Sequence, residues 1–166
     1  MIKANINEIE LRKEIIKLAL MQLNKLYIHG SHGPDTFDCA GFVWYVYNEI
    51  LNIDIYKGGY GLSTTTRIMT SNYGDIKIFN DHDKDLEKIK MGDIVLLHRQ
   101  SKEENTPKED NKYPGHCGIY LENNDFIHCS GTRKQVIINN FDKCKYWIRV
   151  LVASKDIVSD SRILKK

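Results

Sequence analysis

Residues 116–129 read HCGIYLENNDFIHC, two apolar runs on either side of Glu122-Asn123-Asn124, the pattern of a β-hairpin. The length of the turn decides what the hairpin presents, because successive residues of a strand face opposite ways. A two-residue turn at Asn123-Asn124 would set Glu122 against Asp125 and Ile119 against His128, leaving His116 and His128 on opposite faces. A three-residue turn with Asn124 left-handed, which asparagine tolerates, sets Leu121 against Asp125 and Gly118 against His128. His116 then lies diagonal to His128 on one face, at a Cβ separation of about 7–8 Å, and this is the expected register. It also places Cys117 opposite Cys129 on the other face. Those two read as buried thiols acting as small apolar residues, with a cross-strand disulfide as the alternative. Because His116 and Cys117, like His128 and Cys129, point to opposite faces, they cannot all ligate one ion, and no metal site is expected.

Upstream, apolar residues from Asn7 to Leu26 (Ile9, Leu11, Ile15, Ile16, Leu18, Ala19, Leu23, Leu26) recur at helical spacing and predict an amphipathic helix. Residues 27–37, YIHGSHGPDTF, form a loop by their Gly, Pro, Ser and Asp content. Asp38 stands as an N-cap before Cys39–Ile50, CAGFVWYVYNEI, a strongly apolar core helix. Between Leu51 and Asn80, KGGYG reads as a loop, STTTRIM as a short helix or extended piece and GDIKIF as a strand. Residues 88–97 predict a strand leaving a tight turn at Gly92-Asp93, and residues 99–113 a mobile polar surface loop. Gln135–Ile138 and Tyr146–Val152 add strands, and SKDIVSDSRILKK ends the chain as a polar tail expected to fray. Helices followed by strands predict an α+β fold, N-terminal helices packed on a mostly antiparallel β-sheet, with one domain over 1–155 and a polar tail over 156–166.

The 166 residues carry 24 Lys+Arg against 22 Asp+Glu, a net charge of +2, with 42% apolar and 28% charged residues. That composition supports one packed core and excludes wholesale disorder. There is no basic field to attract nucleic acid, and no apolar run long enough for a transmembrane segment. Glu8, Glu10, Arg12, Lys13 and Glu14 break up the N-terminal apolar residues, so no signal peptide is read. The chain as written is expected in the cytoplasm, or outside the cell if an export segment was removed or another route is used. Its composition fixes no oligomeric state.

Cysteine chemistry needs a thiolate, and a helix N-terminus favours one because its unpaired N–H groups stabilise negative charge. Cys39 is at such a position. It also needs a base within hydrogen-bond reach and a group to orient that base, which His116 and His128 can supply. His29 and His32 are close enough in sequence to line the same cleft; Trp44, Tyr45 and Tyr47 read as core or cleft wall.

FDCAGFVWYVY, MGDIVLL, GHCGIYLENNDFIHCSG and YWIRVLVA resemble, in order, the blocks of the NlpC-type cell-wall peptidases, whose motifs run approximately FDCSG, GDLVFF, HVGIYLGNGKFIHA and YW. The resemblance spans about residues 27–153 and implies a papain-like fold. It assigns Cys39 as nucleophile, His116 as general base and His128 as the orienting third residue. Tyr27 matches a tyrosine near the oxyanion position, and Asp38 a residue associated with the substrate's amino end. The implied reaction is cofactor-free hydrolysis of peptidoglycan stem peptides or muropeptides, at a D-γ-glutamyl–diamino acid bond. Ala40 and Gly115 stand where the family often has Ser, and Ile28, His29, Gly30 and Ser31 depart from its Tyr-x-Trp-Gly-Gly. The alternatives are a related Cys-His amidase or acyltransferase on another substrate, or a binding module of the same fold without catalysis.

Overall fold

The side chain of Asn7 accepts the Glu10 N–H at 2.9 Å while Glu10 reaches back to the Asn7 N–H, a reciprocal cap that starts α1 (Glu8–Leu20). The helix stops short of the expected Leu26 because Asn24 turns left-handed (φ 68°) and releases the chain into a strand. The structure is a computed structural model that describes residues 7–61, 63–80, 84–98 and 113–164. The loop expected over 99–113 therefore lies, except for Tyr113, outside the described residues.

After α1 come β1 (Leu26–Tyr27), β2 (Thr36–Phe37), α2 (Cys39–Leu51), α3 (Thr64–Thr70), β3 (Asp75–Ile78) and β4 (Ile94–Leu97). Then follow β5 (His116–Tyr120), β6 (Asp125–Ser130), β7 (Gln135–Asn140), α4 (Lys145–Val150), β8 (Leu151–Asp156) and α5 (Ser161–Leu164). Among the described residues the strands form a single sheet in the order β2-β1-β7-β6-β5-β4-β8-β3, antiparallel at every pairing except β1 with β2. This is the α+β architecture with a mostly antiparallel sheet that the sequence implies.

The middle of the sheet is covered on both faces, which is why β4 is apolar at every position. Ile94 and Leu96, with Cys117, Ile119, Ile127 and Cys129, face α2 and its buried Phe42, Val43, Val46 and Tyr47. Val95 and Leu97 face the other way, into a cluster with Tyr120, Phe126, Phe141 and Val150. Each such side chain contributes about 1.5–3 kcal/mol through burial, so α2 is held by its apolar surface more than by helix propensity.

Two expectations are corrected. Residues 146–152 were expected as one strand, but Cys144 accepts the Trp147 N–H and the chain winds into α4 before β8 begins at Leu151. The helical turn carries the Trp147 ring over Phe126, at 5.1 Å between centroids, which an extended chain at that place would not do. The tail over 156–166 is not frayed where described: Ile157 and Val158 are fully buried in the core and Ile163 nearly so. The Lys155 ammonium, also buried, donates to the carbonyls of Ile68, Met69 and Ser71 and so caps the C-terminus of α3.

Arg12 ties these parts together. Its guanidinium, on α1, donates to Asp93 Oδ1 at 2.8 Å and the Met91 carbonyl at 3.0 Å before β4, and to Asp156 Oδ1 at 2.6 Å where β8 ends. Both Arg12 and Asp93 are buried, and desolvation, reinforced by the nearby Asp156 charge, pushes the Asp93 carboxyl up to about 6 despite the pairing. Removing one member of a buried pair strands the other charge. Arg12→Met is therefore expected to lower unfolding free energy in urea by about 3–5 kcal/mol, whereas the double variant Arg12→Met/Asp93→Leu recovers a large part of that loss.

Candidate active site

Asp38 sets the position of Cys39. Its Oδ1 accepts the Gly41 N–H at 2.7 Å, capping α2, and its Oδ2 accepts the Gly30 N–H at 2.9 Å from the preceding loop. Its own N–H goes to Ser31 O at 2.8 Å, so the loop lies directly against the first helical turn. A Cβ at Gly41 would sit 2.0 Å from Ser31 O, which excludes every residue but glycine there. Cys39 is thereby the first residue of α2, half-buried, at the end of the sheet where β5 begins.

The hairpin takes the three-residue register. Ile119 pairs with Ile127 and Tyr120 with Phe126, which sets Gly118 opposite His128; Leu121 N–H donates to Asp125 O at 2.8 Å. Asn123 is left-handed as well as Asn124 (φ 54° and 62°). Gly118 lies between His116 and Tyr120 on the histidine face, and a Cβ there would meet His128 Cβ at 3.0 Å and Ile127 O at 2.7 Å. Without a side chain at 118, the His128 ring crosses to His116: Nε2 of His116 and Nδ1 of His128 are 2.7 Å apart, with the rings nearly perpendicular.

The hydrogen-bond directions in this relay follow from its far end. His128 Nε2 lies 2.8 Å from Asn139 Oδ1, which can only accept, so Nε2 carries the hydrogen and Nδ1 is a bare acceptor. His116 then donates through Nε2 and keeps Nδ1 for Cys39. Stacked on Phe126 and edge-on to Trp147, His128 is 1% exposed, and burial, together with the His116 charge, pushes its pKa down to about 3. His128 is thus a neutral ring hydrogen-bonded to His116.

At the other end, the Cys117 thiol, the His116 ring and the Ala40 N–H hydrogen-bond the Cys39 sulfur and hold its pKa well below the ordinary cysteine value, although burial opposes this. The Cys117 thiol, fully buried beside that negative charge, is pushed up. Cys117 and Cys129 are free thiols, each sulfur on a backbone carbonyl: Cys117 on Cys39 O at 3.4 Å, Cys129 on Phe37 O at 3.3 Å.

The fold thus brings Cys39, His116 and His128 together, with Asp38 capping the helix that Cys39 begins. Tyr27 lies in β1 opposite Phe37, two residues before Cys39 in the neighbouring strand, with the Lys134 ammonium 5.7 Å over its ring. His29 and His32 are exposed, His32 packing edge-on against Trp44. Two residues escaped the sequence reading. Asn139 lies opposite Phe126 on the histidine face, one position beyond the expected end of its strand at Ile138; the alternation of QVIINN, carried one residue further, would have found it. Tyr56 stacks on Trp44, and its buried hydroxyl has no hydrogen-bond partner among the described residues. No local pattern in a turn marks such a residue. Among the described residues no cluster of His, Cys, Asp and Glu is arranged to hold a metal ion, and no helix is long and apolar enough to cross a membrane.

The sequence model of the NlpC/P60 family matches residues 24–155, a span that contains Tyr27, Asp38, Cys39, His116, His128 and Asn139. The chain belongs to the NlpC/P60 family. Among curated NlpC/P60-like relatives it is 26% identical over 144 residues to the probable endopeptidase YafL of Escherichia coli, covering 86% of this chain and 49% of that protein. It is 25% identical over 144 residues to the murein DD-endopeptidase MepH of the same organism, covering 84% of this chain and 44% of that one. The chain therefore spans about half the length of these relatives. The solved structure of NlpC1 from Trichomonas vaginalis superposes with a TM-score of 0.63 at 23% identity, over 88% of this chain and 44% of that one, and shares the fold.

Two measurements test the electrostatics. Iodoacetamide alkylation of Cys39 is expected to follow a midpoint well below the ordinary value of about 8.5, and His116→Ala to move that midpoint upward. The His128 ring, with its pKa depressed from 6.5 to about 3, contributes stability that is present above pH 6.5 and lost as pH falls toward 3. In urea titrations at stepped pH, its share of the slope is expected to approach about 1.4 kcal/mol per pH unit, and His128→Gln to remove it.

Proposed function

We propose that this domain is a cysteine peptidase that hydrolyses peptide bonds in peptidoglycan stem peptides by thiolate acyl transfer. The observation that carries the reading is the relay Asn139–His128–His116 ending on a low-pKa Cys39 at a helix N-terminus, in a chain of the NlpC/P60 family. Cys39 Sγ attacks the scissile carbonyl. The Cys39 N–H holds the oxyanion, since the Gly41 and Phe42 N–H groups are taken by Asp38. His116, protonated at Nδ1 and steadied through Nε2, delivers its proton to the leaving amine and then takes one from the water that releases the acyl group. Tyr27 borders the oxyanion side. Asp38 supplies negative charge for a substrate amine, each of its oxygens keeping one lone pair beside the backbone bond it accepts.

The bond we assign is that between D-γ-glutamate and the diamino acid, as the resemblance to the NlpC-type peptidases implies. A second reading, cleavage of a DD bond, has in its favour the similarity to MepH, a murein DD-endopeptidase. Mass spectrometry of purified stem peptides and cross-linked muropeptides, incubated with wild type and Cys39→Ala, separates them. The expected outcome is new fragments from wild type alone, ending at D-glutamate; fragments ending at D-alanine select the DD bond. An absence of fragments from both proteins would move the reading to another amide or ester, or to a binder without catalysis.

A further inference from the structure

Directly beneath Cys39 is a second thiol that takes part in no bond made or broken in the acyl-transfer steps. Cys117 is the second residue of β5, on the α2 face, fully buried, with its sulfur 3.4 Å from the carbonyl oxygen of Cys39 itself. Cys129 is opposite Cys117 in the hairpin, but its sulfur is anchored on the Phe37 carbonyl, two residues further from the nucleophile. Cys39 itself is the more open of the three, half-buried where the other two are buried. A partly accessible, low-pKa sulfur with a shielded thiol packed against its own backbone is the arrangement of a peroxide-reacting cysteine and its resolving partner.

We propose that Cys39 and Cys117 form an oxidation site that takes hydrogen peroxide or an organic hydroperoxide and closes as a reversible Cys39–Cys117 disulfide. In the first step the Cys39 thiolate attacks one peroxide oxygen. An S–O bond forms, the O–O bond breaks, the sulfur is oxidised by two electrons, and the departing oxygen takes a proton to leave as water or an alcohol. In the second step Cys117 gives up its proton and attacks the Cys39 sulfenic sulfur. The S–S bond forms, the S–O bond breaks, and hydroxide leaves with that proton as water. The balance is two thiols and one hydrogen peroxide to one disulfide and two waters. Closure removes the Cys39 thiolate, and any thiol reductant restores it. Without Cys117, the sulfenic acid remains open to a second peroxide and proceeds to sulfinic acid, which thiols do not reverse.

The site shares Cys39 with the peptidase reading but is measured on sulfur, so either can fail alone. The intact protein is treated with excess hydrogen peroxide, then digested without reduction and mapped by mass spectrometry. Expected is a cross-linked peptide pair joining Cys39 to Cys117, lighter than the two thiol peptides by two hydrogens, about 2 Da. After dithiothreitol, iodoacetamide is expected to label Cys39 in most of the wild type. In Cys117→Val and Cys117→Ser, recovery of labelled Cys39 is expected to fall at least about tenfold, with sulfinic acid in its place. Cys129→Ala, which keeps both partners, is expected to form the same cross-link as wild type. A wild-type map showing sulfinic Cys39 with Cys117 still free, or a cross-link from Cys39 to Cys129 or between two molecules, overturns the proposal. So does full reductant recovery in the Cys117 variants.

Discussion

The carboxylate of Asp38 has one oxygen on the N-terminus of α2 and the other on the loop before it, and the placement of the site depends on this double attachment. A helix could present Cys39 without the second bond, but the loop would then be held against the first turn only by backbone bonds such as that from Asp38 N–H to Ser31 O. The contact is so close that Gly41 cannot carry a side chain, so a substitution there would push the loop away from the first turn of α2 and Cys39. One short acidic side chain therefore couples a local effect, the favourable field at a helix end, to a nonlocal one, the assembly of a cleft.

On the opposite wall the governing constraint is parity. Three turn residues put His128 on the face of His116, and the missing side chain at Gly118 lets the two rings touch. Both features are visible in the sequence, because the Asn-Asn turn and the alternation of short strands are local, and so are the Asp38 cap and the helix it begins. What could not be read locally has a common physical cause. Arg12 is buried only because Asp93 and Asp156 arrive from strands far along the chain, and Lys155 looks like part of a charged tail until α3 supplies carbonyls for it. The run YWIRVLV satisfies a strand pattern as well as a helix pattern. Its division at Leu151 is decided by packing of Trp147 over Phe126 and His128, not by propensity.

Within the site the same limit applies. Cys39, His116 and His128 could be picked out by residue type and register, whereas Asn139 depends on where β7 ends, and the contact of Cys117 with Cys39 depends on how α2 lies across β5. Strand alternation alone assigns Cys117 to the α2 face but says nothing of which part of the helix lies above it.

The relay behind His116 is made of an imidazole and an amide, both uncharged. Had a carboxylate stood in place of Asn139 or His128, the cleft would carry a fixed negative charge behind its base, and an anionic ligand would meet repulsion on entering. With a neutral relay, the negative charge that a ligand meets beside the His116 ring comes from Cys39 and Asp38 and not from the groups that hold that ring.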